Sequence, residues 1–314
     1  TNGKSSTCKI LEHVLKKNKI NVKLGGNIGK PILNLRLDNR PIVIIEASSF
    51  QLAHSKYIKP NYAAILNITK DHLDWHGSMK EYINSKLKIF QNQRSADFAF
   101  LNNRYLVKKF KKNKYMSKLK YINKKKYQIF QKKLKNNYLN SKVNIENMNY
   151  IYEICKILKI KNKNIYNSLK NFKGLNHRYE IFYRNRNKTF INDSKATSFI
   201  SSKFALESNK NILWIVGGLP KLGDKIKISK VKGNIIKAYI IGKNINFFKK
   251  FLNKNIKYEV SRTMKNAIIS IFKDIKTIKQ KNLNIILSPA SASYDQYINF
   301  QERGNQFKKL VLKY

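Results

Sequence analysis

Two short apolar runs, IVII at residues 42–45 and AAILNI at residues 63–68, decide the fold of the first half of this 314-residue chain. Such runs are typical of strands buried in a parallel sheet. Apolar side chains at three- and four-residue spacing after Ser5, and the segment MKEYINSKLKIF at residues 79–90, predict helices before and after them. Buried strands that alternate with helices indicate an α/β architecture.

The second half of the chain repeats this alternation after Gly174, which stands where a helix predicted at residues 164–172 would end. A hairpin, three strands and three helices are predicted beyond it, at residues 179–183 with 188–192, at 211–216, 236–241 and 283–287, and at 197–208, 263–275 and 303–312. Residues 104–140, rich in Lys, Asn and Tyr, carry the least structural information, and a further helix is predicted at residues 147–159. We therefore place a domain boundary near residue 175.

The charge of the chain is extreme, because 65 Lys and Arg against 17 Asp and Glu give a net charge of +48. Such a charge attracts polyanions. The lysines crowd every segment, however, which is more typical of compositional bias than of a nucleic-acid surface, so we expect no nucleic-acid partner. No run of about 18 apolar residues is free of charge, which excludes a membrane-spanning helix. Two cysteines are too few for a disulfide framework and favour a reducing compartment.

The tripeptide Gly3-Lys4-Ser5 at the mouth of a predicted helix matches the second half of a phosphate-binding loop. In such a loop, backbone N–H groups at a helix N-terminus hold phosphate oxygens, the lysine reaches the β- and γ-phosphates, and the serine hydroxyl binds Mg²⁺. A lysine-rich chain also contains such a tripeptide by chance. The loop is therefore a candidate nucleotide site that needs support from other residues.

Polar side chains follow both predicted strands of the first half. Glu46 ends the first run, and His72 follows the second, between Asp71 and Asp74. The C-terminal edge of a parallel sheet is where α/β folds bind ligands, and carboxylates suit Mg²⁺ beside nucleotide phosphates. The alternatives are a strand-end glutamate that faces water and a histidine that caps or packs. By composition alone, Lys86 on the next helix is one more surface lysine.

Three polar segments follow strands in the second half: Asp193 with Ser194, Gly217-Gly218 with Lys221, and SPASAS at residues 288–293. All three lie at strand C-termini, where small and hydroxylated residues let a ligand approach the backbone. The alternatives are a helix N-cap at Asp193 or Ser194 and an ordinary turn with a solvated lysine.

Nine segments in this order resemble motifs of the Mur ligases, the ATP-dependent amino-acid ligases of peptidoglycan synthesis. They are TNGKSS (1–6), GGNIG (25–29), EASSFQL (46–52), LNITKDHLDWHGS (66–78), SKLKIF (85–90), GLNHRYE (174–180), INDSKAT (191–197), GGLPK (217–221) and SPASASYDQYINFQERGNQF (288–307). INDSKAT and SPASASYDQ resemble the branch that adds D-glutamate. The resemblance implies a central P-loop ATPase-like domain with a mostly parallel sheet over residues 1–175, and a C-terminal Rossmann-like α/β domain over residues 176–314.

The resemblance also implies roles for individual residues. ATP would be bound by the phosphate loop and by four further residues, namely Thr1, Asn2, Gly3, Lys4, Ser5 and Ser6 with Asn147, His177, Arg178 and Asp193. Two magnesium sites would use Ser5, Glu46, His72 and Lys86, the last as a carbamate formed with CO₂. Asn27 would touch the muramoyl substrate, and D-glutamate would be surrounded by Lys195, Thr197, Lys221, Ser293, Tyr294 and Phe300. The implied catalytic residues are Lys4, Glu46, His72, Lys86 and Lys195.

The implied reaction joins D-glutamate to UDP-N-acetylmuramoyl-L-alanine through an acyl phosphate, in a monomeric, cytoplasmic bacterial enzyme whose two domains close over ATP. Tyr150 departs from the pattern, because it stands where the family has a second nucleotide-contacting Asn. An N-terminal UDP-binding domain and the first part of the phosphate loop are also missing, so we expect this chain alone to be inactive. The alternatives are a sister ligase of the folylpolyglutamate synthetase type and a non-catalytic, basic polyanion-binding module.

Overall fold

The computed structural model describes residues 2–136, 138–221, 228–252 and 255–314. It divides into two compact units, Thr1–Lys173 and Gly174–Tyr314, which we call unit 1 and unit 2. No helix among the described residues is both long enough and apolar enough to cross a membrane.

The described residues of unit 1 form five strands, with eight α-helices before, between and after them. The strands are β1 (Val22–Gly26), β2 (Ile42–Glu46), β3 (Tyr62–Ile65), β4 (Phe98–Leu101) and β5 (Lys118–Tyr121). The helices are α1 (Lys4–Lys17), α2 (Ser49–His54), α3 (Leu73–His76), α4 (Met79–Leu87), α5 (Arg104–Lys112), α6 (Lys124–Lys133), α7 (Lys142–Ile157) and α8 (Asn162–Leu169). β1 pairs with β2, and β4 lies between β3 and β5; every pairing is parallel.

The strands described in unit 1 differ from the sequence-based prediction in their pairing and in their number. The two apolar runs form β2 and β3 as predicted, but they belong to separate ladders of two and three strands. β1, β4 and β5 were not predicted. β5 was missed because its sequence KLKY is mostly exposed, as expected for a lysine-rich edge strand.

Residues 104–140 proved more regular than their composition indicates. α5, β5 and α6 all lie within them. α5 buries Leu106 and Phe110, four residues apart on one face, and four of its other seven residues are lysines. Lysine abundance therefore concealed an amphipathic helix. α7 also begins five residues before the start predicted at residue 147.

Unit 2 contains one six-stranded sheet with helices between its strands. The strands are β6 (Glu180–Asn185), β7 (Lys188–Asn192), β8 (Ile212–Gly217), β9 (Ile235–Ile241), β10 (Tyr258–Arg262) and β11 (Leu283–Leu287). The helices are α9 (Phe199–Glu207), α10 (Ile245–Leu252), α11 (Met264–Ile275) and α12 (Phe300–Lys313). The strand order is β10-β9-β8-β11-β7-β6, and only β6 is antiparallel to its neighbour, which confirms the predicted hairpin and the predicted α/β class.

Apolar side chains cover both faces of this sheet. Along β8 all six residues are buried; Trp214 and Val216 pack into one core cluster, and Leu213 and Ile215 into the other. Burial on both faces explains why the strand is a continuous apolar run without alternation. β10 and α10 were not predicted, and β10 is an edge strand with only one fully buried residue.

The strand order reverses between β8 and β11, because β9 and β10 lie on one side of β8 and β7 lies beyond β11. Ligands of open α/β sheets bind at the carboxyl ends of strands at such a reversal. The three polar segments that follow β7, β8 and β11 are therefore brought to neighbouring positions along one edge of unit 2.

Candidate active site

The candidate phosphate loop of unit 1 leads directly into α1. Gly3 has φ +85°, and a Cβ there would lie 2.2 Å from Oδ1 of Asn147, so glycine is required both by conformation and by space. No side chain caps α1, and Lys4, Ser5 and Ser6 form its first turn. Thr1 lies outside the described residues.

Glu46 ends β2 with its carboxylate buried at 3 % exposure. Oε1 accepts a hydrogen bond from Nδ2 of the exposed Asn27 (3.1 Å), whereas Oε2 is buried with no hydrogen-bond partner among the described residues. The charge of Glu46, together with burial as the larger cause, raises the pKa of Cys8 on α1 to about 12. Glu46 therefore does not face water. It is a buried carboxyl group with one unpartnered oxygen, an arrangement that is costly unless a cation completes it.

Lys86 is buried on α4 at 6 % exposure, so the compositional reading of a surface lysine is wrong. Its ammonium lies 4.7 Å from the ring centroid of Tyr82. Burial and the charge of Lys4 lower the pKa of Lys86 to about 8, against the opposing effect of Asp71. The lysine of the phosphate loop and the candidate carbamate lysine are therefore close enough to repel each other, and Asp71 only partly offsets this repulsion.

His72 follows β3 as the N-cap of α3 with φ +52°, an uncommon conformation for a residue that is not glycine. Its Nε2 lies 3.5 Å from Oδ2 of Asp71, and its ring packs edge-on against Phe50 at 4.7 Å. Because Phe50 lies on α2, within the motif that begins at Glu46, His72 lies beside the polar segment that follows β2.

His76 is a buried residue of this region that sequence reasoning missed. Its Nε2 is 3.0 Å from Oγ of Ser49 on α2, and its Nδ1 is 3.5 Å from Oγ of Ser85 on α4. Burial, followed by the charge of Lys86, lowers its pKa. The neutral ring thus links the helix after Glu46 to the helix that carries Lys86. It stands inside a quoted motif, but nothing in its spacing distinguished it.

α7 contributes Asn147, which is buried against Gly3 and donates from Nδ2 to Oδ1 of Asn144 (3.3 Å). The structure therefore brings this candidate nucleotide residue to the phosphate loop. Tyr150, one turn later, is fully buried, and its hydroxyl donates to the carbonyl oxygens of Ile65 (3.0 Å) and Leu66 (3.3 Å) at the end of β3. Its hydroxyl is thus engaged with the protein's own backbone.

In unit 2, Asp193 follows β7 with both carboxylate oxygens hydrogen-bonded. The backbone N–H of Tyr179 donates to Oδ1 (3.0 Å), and the hydroxyl of Ser288 donates to Oδ2 (2.8 Å). Burial raises the pKa of Asp193 to about 7, although both hydrogen bonds and the charge of Arg178 oppose the shift. The N-cap alternative is wrong, because Ser198 caps α9.

Lys195 and Phe300 lie together at the same edge of unit 2. The Lys195 ammonium lies 4.0 Å from the centroid of the Phe300 ring, and His177 packs edge-on against that ring at 6.0 Å. The backbone N–H of Lys195 donates to the carbonyl of His177 (3.0 Å), and that of Thr197 to the carbonyl of Lys195 (2.9 Å). These four predicted residues therefore form one cluster.

Arg303 is a buried residue that hydrogen-bonds the segments beside this cluster, and sequence reasoning did not single it out. At 1 % exposure, it donates from Nε to Oγ of Ser194 (3.0 Å) and from Nη2 to the carbonyls of Ser194 (2.8 Å) and Ser291 (3.0 Å). Nη1 is buried without a partner among the described residues, and burial lowers the pKa of Arg303 to about 10. A signal was available, since Arg303 falls between Phe300 and Phe307 on the apolar face of α12.

The remaining predicted residues are distributed more widely. Ser293 is buried, whereas Tyr294 is 72 % exposed, and Lys221 is exposed at the edge of the described residues. Asn147 belongs to unit 1, and His177, Arg178 and Asp193 belong to unit 2. Within the described ranges, no three His, Cys, Asp or Glu side chains form a metal-binding group.

The Mur ligase middle domain matches residues 1–172 of the chain. This chain belongs to the Mur ligase family. Two relatives of this Mur ligase, both named UDP-N-acetylmuramoylalanine–D-glutamate ligase, come from Wolbachia sp. subsp. Brugia malayi and Rickettsia prowazekii. The first is 34 % identical over 370 aligned residues, covering 100 % of this chain and 74 % of its own length. The second is 34 % identical over 329 residues, covering 99 % of this chain and 74 % of its own length.

Solved structures show the same fold. MurF from Acinetobacter baumannii has a TM-score of 0.73 at 14 % identity, covering 99 % of this Mur ligase and 75 % of its own chain. MurF from Thermotoga maritima, solved in complex with ADP, has a TM-score of 0.70 at 16 % identity, covering 100 % and 79 %. The family and the fold inferred from the nine motifs are confirmed.

Proposed function

We propose that this Mur ligase joins the amine of D-glutamate to the carboxylate of UDP-N-acetylmuramoyl-L-alanine, with conversion of ATP to ADP and phosphate. The observation that carries the proposal is the 34 % identity, over the whole chain, to a relative named for that reaction. The ADP complex of a structural neighbour and the phosphate loop of unit 1 support the use of ATP.

Unit 1 would hold the triphosphate and magnesium. The N-terminus of α1 and Lys4 suit the phosphates, and the unpartnered Oε2 of Glu46 fits a hard divalent cation. Ser5, His72 and a carbamate on Lys86 would complete two magnesium sites. When bound, Mg²⁺ offsets the negative charge that develops on the transferred phosphoryl oxygens.

The surroundings of Lys86 support its carbamylation. A buried ammonium beside Lys4 is disfavoured, and its lowered pKa leaves an appreciable fraction of the neutral amine that adds to CO₂. The product is an anion, which would exchange the repulsion between two cations for attraction to Lys4 and to a metal.

The chemistry requires activation because a carboxylate is a poor electrophile. The substrate carboxylate would attack the γ-phosphorus of ATP, forming an acyl phosphate as the bond to ADP breaks. The amine of D-glutamate would then attack the acyl carbon, and phosphate would leave with the bonding electrons. Lys4 would stabilise the phosphoryl oxygens during the first step.

The residues proposed for D-glutamate lie in unit 2. Lys195 and Lys221 would provide cations for its two carboxylates, and Thr197 and Ser293 would provide hydroxyl groups. Phe300 holds the Lys195 ammonium over its ring face, which fixes the direction of a long flexible side chain. Asp193 and His177 would contact the nucleotide.

The test is a ligation assay on the full-length protein with ATP, UDP-N-acetylmuramoyl-L-alanine and a panel of amino acids. We expect one ADP and one phosphate for each amide bond, with D-glutamate strongly preferred over L-glutamate. We expect no ligation when a folate and L-glutamate are supplied in place of the two proposed substrates. Ligation of another amino acid in preference to D-glutamate would replace this proposal with a sister activity. Steeply salt-dependent RNA binding without ADP release would favour the polyanion-binding module.

A further inference from the structure

Asn67, two residues after the end of β3, makes an unusual pair of hydrogen bonds with the phosphate loop. The backbone N–H of Asn2 donates to Oδ1 of Asn67 (2.8 Å), and Nδ2 of Asn67 donates to the carbonyl of Asn2 (3.0 Å). One side-chain amide thus satisfies both backbone groups of a single residue, as a neighbouring strand would. This pair fixes the course of the chain immediately before Gly3 and Lys4.

The end of β3 also accepts hydrogen bonds from a residue of α7. The hydroxyl of Tyr150 reaches the carbonyls of Ile65 and Leu66, the two residues before Asn67. Tyr150 is fully buried, and this burial raises the pKa of its hydroxyl, which therefore remains a neutral donor. Asn147 lies three residues earlier on α7, on the same face of the helix.

The two attachments control one distance. Asn67 holds the phosphate loop, Tyr150 holds the helix, and between them the side chain of Asn147 lies directly against Gly3. Asn147 occupies the space that a Cβ at Gly3 would need, so a shift of either element would change how closely Asn147 approaches the loop.

We propose that residues 65–67 at the end of β3 position both nucleotide-binding elements of unit 1, with Asn67 and Tyr150 as the positioning residues. Neither would touch the nucleotide. Tyr150, at the position of the family's second nucleotide-contacting Asn, would therefore position the remaining Asn, Asn147, and make no nucleotide contact of its own. The inference rests on the proposed use of ATP by unit 1.

The experiment measures the dissociation constant of Mg²⁺–ADP by calorimetry on the full-length protein, at a temperature where circular dichroism shows every variant folded. The variants are Tyr150→Phe, Asn67→Ala and the double substitution. Tyr152→Phe is the matched control on α7, because its hydroxyl donates to Oδ1 of Asn162 (3.2 Å) and not to β3. Asn92→Ala is the control for a lost amide, because Nδ2 donates to the carbonyls of residues 56 (2.7 Å) and 58 (3.2 Å).

We expect Tyr150→Phe to weaken ADP binding about fivefold and Asn67→Ala about tenfold, with changes below about twofold in both controls. Because both residues set the same distance, the double variant should lose less than the product of the single effects. In steady-state kinetics, the KM for ATP should rise while the KM for D-glutamate stays constant, which a general loss of stability would not produce.

The inference is overturned if both variants bind ADP like the wild type, or if the controls weaken binding equally. In those cases the wild-type protein still binds ADP and ligates, so the proposed function survives. A wild-type protein that binds no ADP overturns both. Tyr150→Phe removes one oxygen atom and keeps the ring, so the test stands even if Asn67→Ala does not fold.

Discussion

The two units differ in how completely their buried charges are satisfied. In unit 1, Glu46 keeps an unpartnered carboxylate oxygen, and Lys86 is buried near a second cation. In unit 2, both oxygens of Asp193 accept hydrogen bonds, and Arg303 joins two of the three polar segments through Nε and Nη2, although its Nη1 has no partner among the described residues. We therefore expect unit 1 to depend on bound ions and phosphates to complete its electrostatics. Unit 2 is organised to a greater extent by its own hydrogen bonds.

The largest effect is expected from Glu46→Gln. Loss of the carboxylate removes the proposed metal ligand, so we expect ligation to fall by at least about a thousandfold, comparable to loss of a major electrostatic contact in the transition state. Folding stability should be unchanged or higher, because a buried unpaired charge is removed. Activity would be measured by ADP release and stability by urea unfolding.

The control for this substitution is Glu12→Gln. Glu12 bonds Lys9 and Lys16 on the surface of α1, so its substitution should cost at most about 1 kcal/mol of stability and no activity. If Glu46→Gln ligated normally, unit 1 would not depend on a metal at this carboxylate, and the contrast between the units would disappear.

The next effect is expected from Lys86→Ala. Without the carbamate, ligation should fall by about a hundredfold, and short-chain carboxylic acids should restore part of it by occupying the space with an anion. Lys88→Ala is the matched control. Lys88 is the first residue after the end of α4, and its ammonium donates to the carbonyl of Ala53 (2.6 Å). Equal loss in both variants, or no rescue of Lys86→Ala by acetate, would argue against a carbamate.

Asp193→Asn tests the satisfied site through its pH dependence. The folded protein keeps the Asp193 proton up to about pH 7, whereas the unfolded chain releases it near pH 4. The unfolded state therefore binds fewer protons between these values, and this residue makes wild-type stability fall as pH rises. The asparagine variant should gain stability relative to the wild type between pH 5 and pH 8, by no more than about 4 kcal/mol.

Urea unfolding of both proteins at several pH values measures this difference. If the free energies of unfolding of the wild type and Asp193→Asn changed in parallel with pH, burial of the Asp193 carboxylate would carry no electrostatic cost. The hydrogen bonds to Asp193 would then compensate its burial fully.

The smallest effect is expected from His76→Phe. The substitution keeps a ring against Phe50 but removes the bonds to Ser49 and Ser85. We expect a loss of about 1–2 kcal/mol in unfolding free energy and a fall in kcat of only a few fold. The matched pair Ser49→Ala and Ser85→Ala should each reproduce part of both effects. A loss of kcat comparable to that of Lys86→Ala would make His76 a direct participant.

Sequence alone predicted the fold where burial is continuous and failed where it is partial. β2, β8 and β11 are apolar runs and were predicted nearly to the residue. β5 and β10 lie at sheet edges with exposed side chains, so their apolar signal is weak. In the candidate sites, the order of the motifs singled out Glu46, Lys86 and Asp193, and their roles stay predictions.

Residue type did not reveal environment. Nothing in the letters distinguishes the buried Lys86 from the other lysines of a chain with this composition, and only the resemblance singled it out. Arg303, His76 and Asn67 act through contacts made by residues far apart in sequence, such as Arg303 with Ser194 and Asn67 with Asn2. These contacts exist only after folding.

The most direct measurement is anomalous diffraction from crystals of the full-length protein grown with ADP and Mn²⁺. We expect a manganese peak at about 2.0–2.3 Å from Oε2 of Glu46, with further density on the Lys86 nitrogen. An occupied nucleotide site with Oε2 bonded to a protein donor, and no metal beside it, would contradict the claim that unit 1 is completed by its ligands.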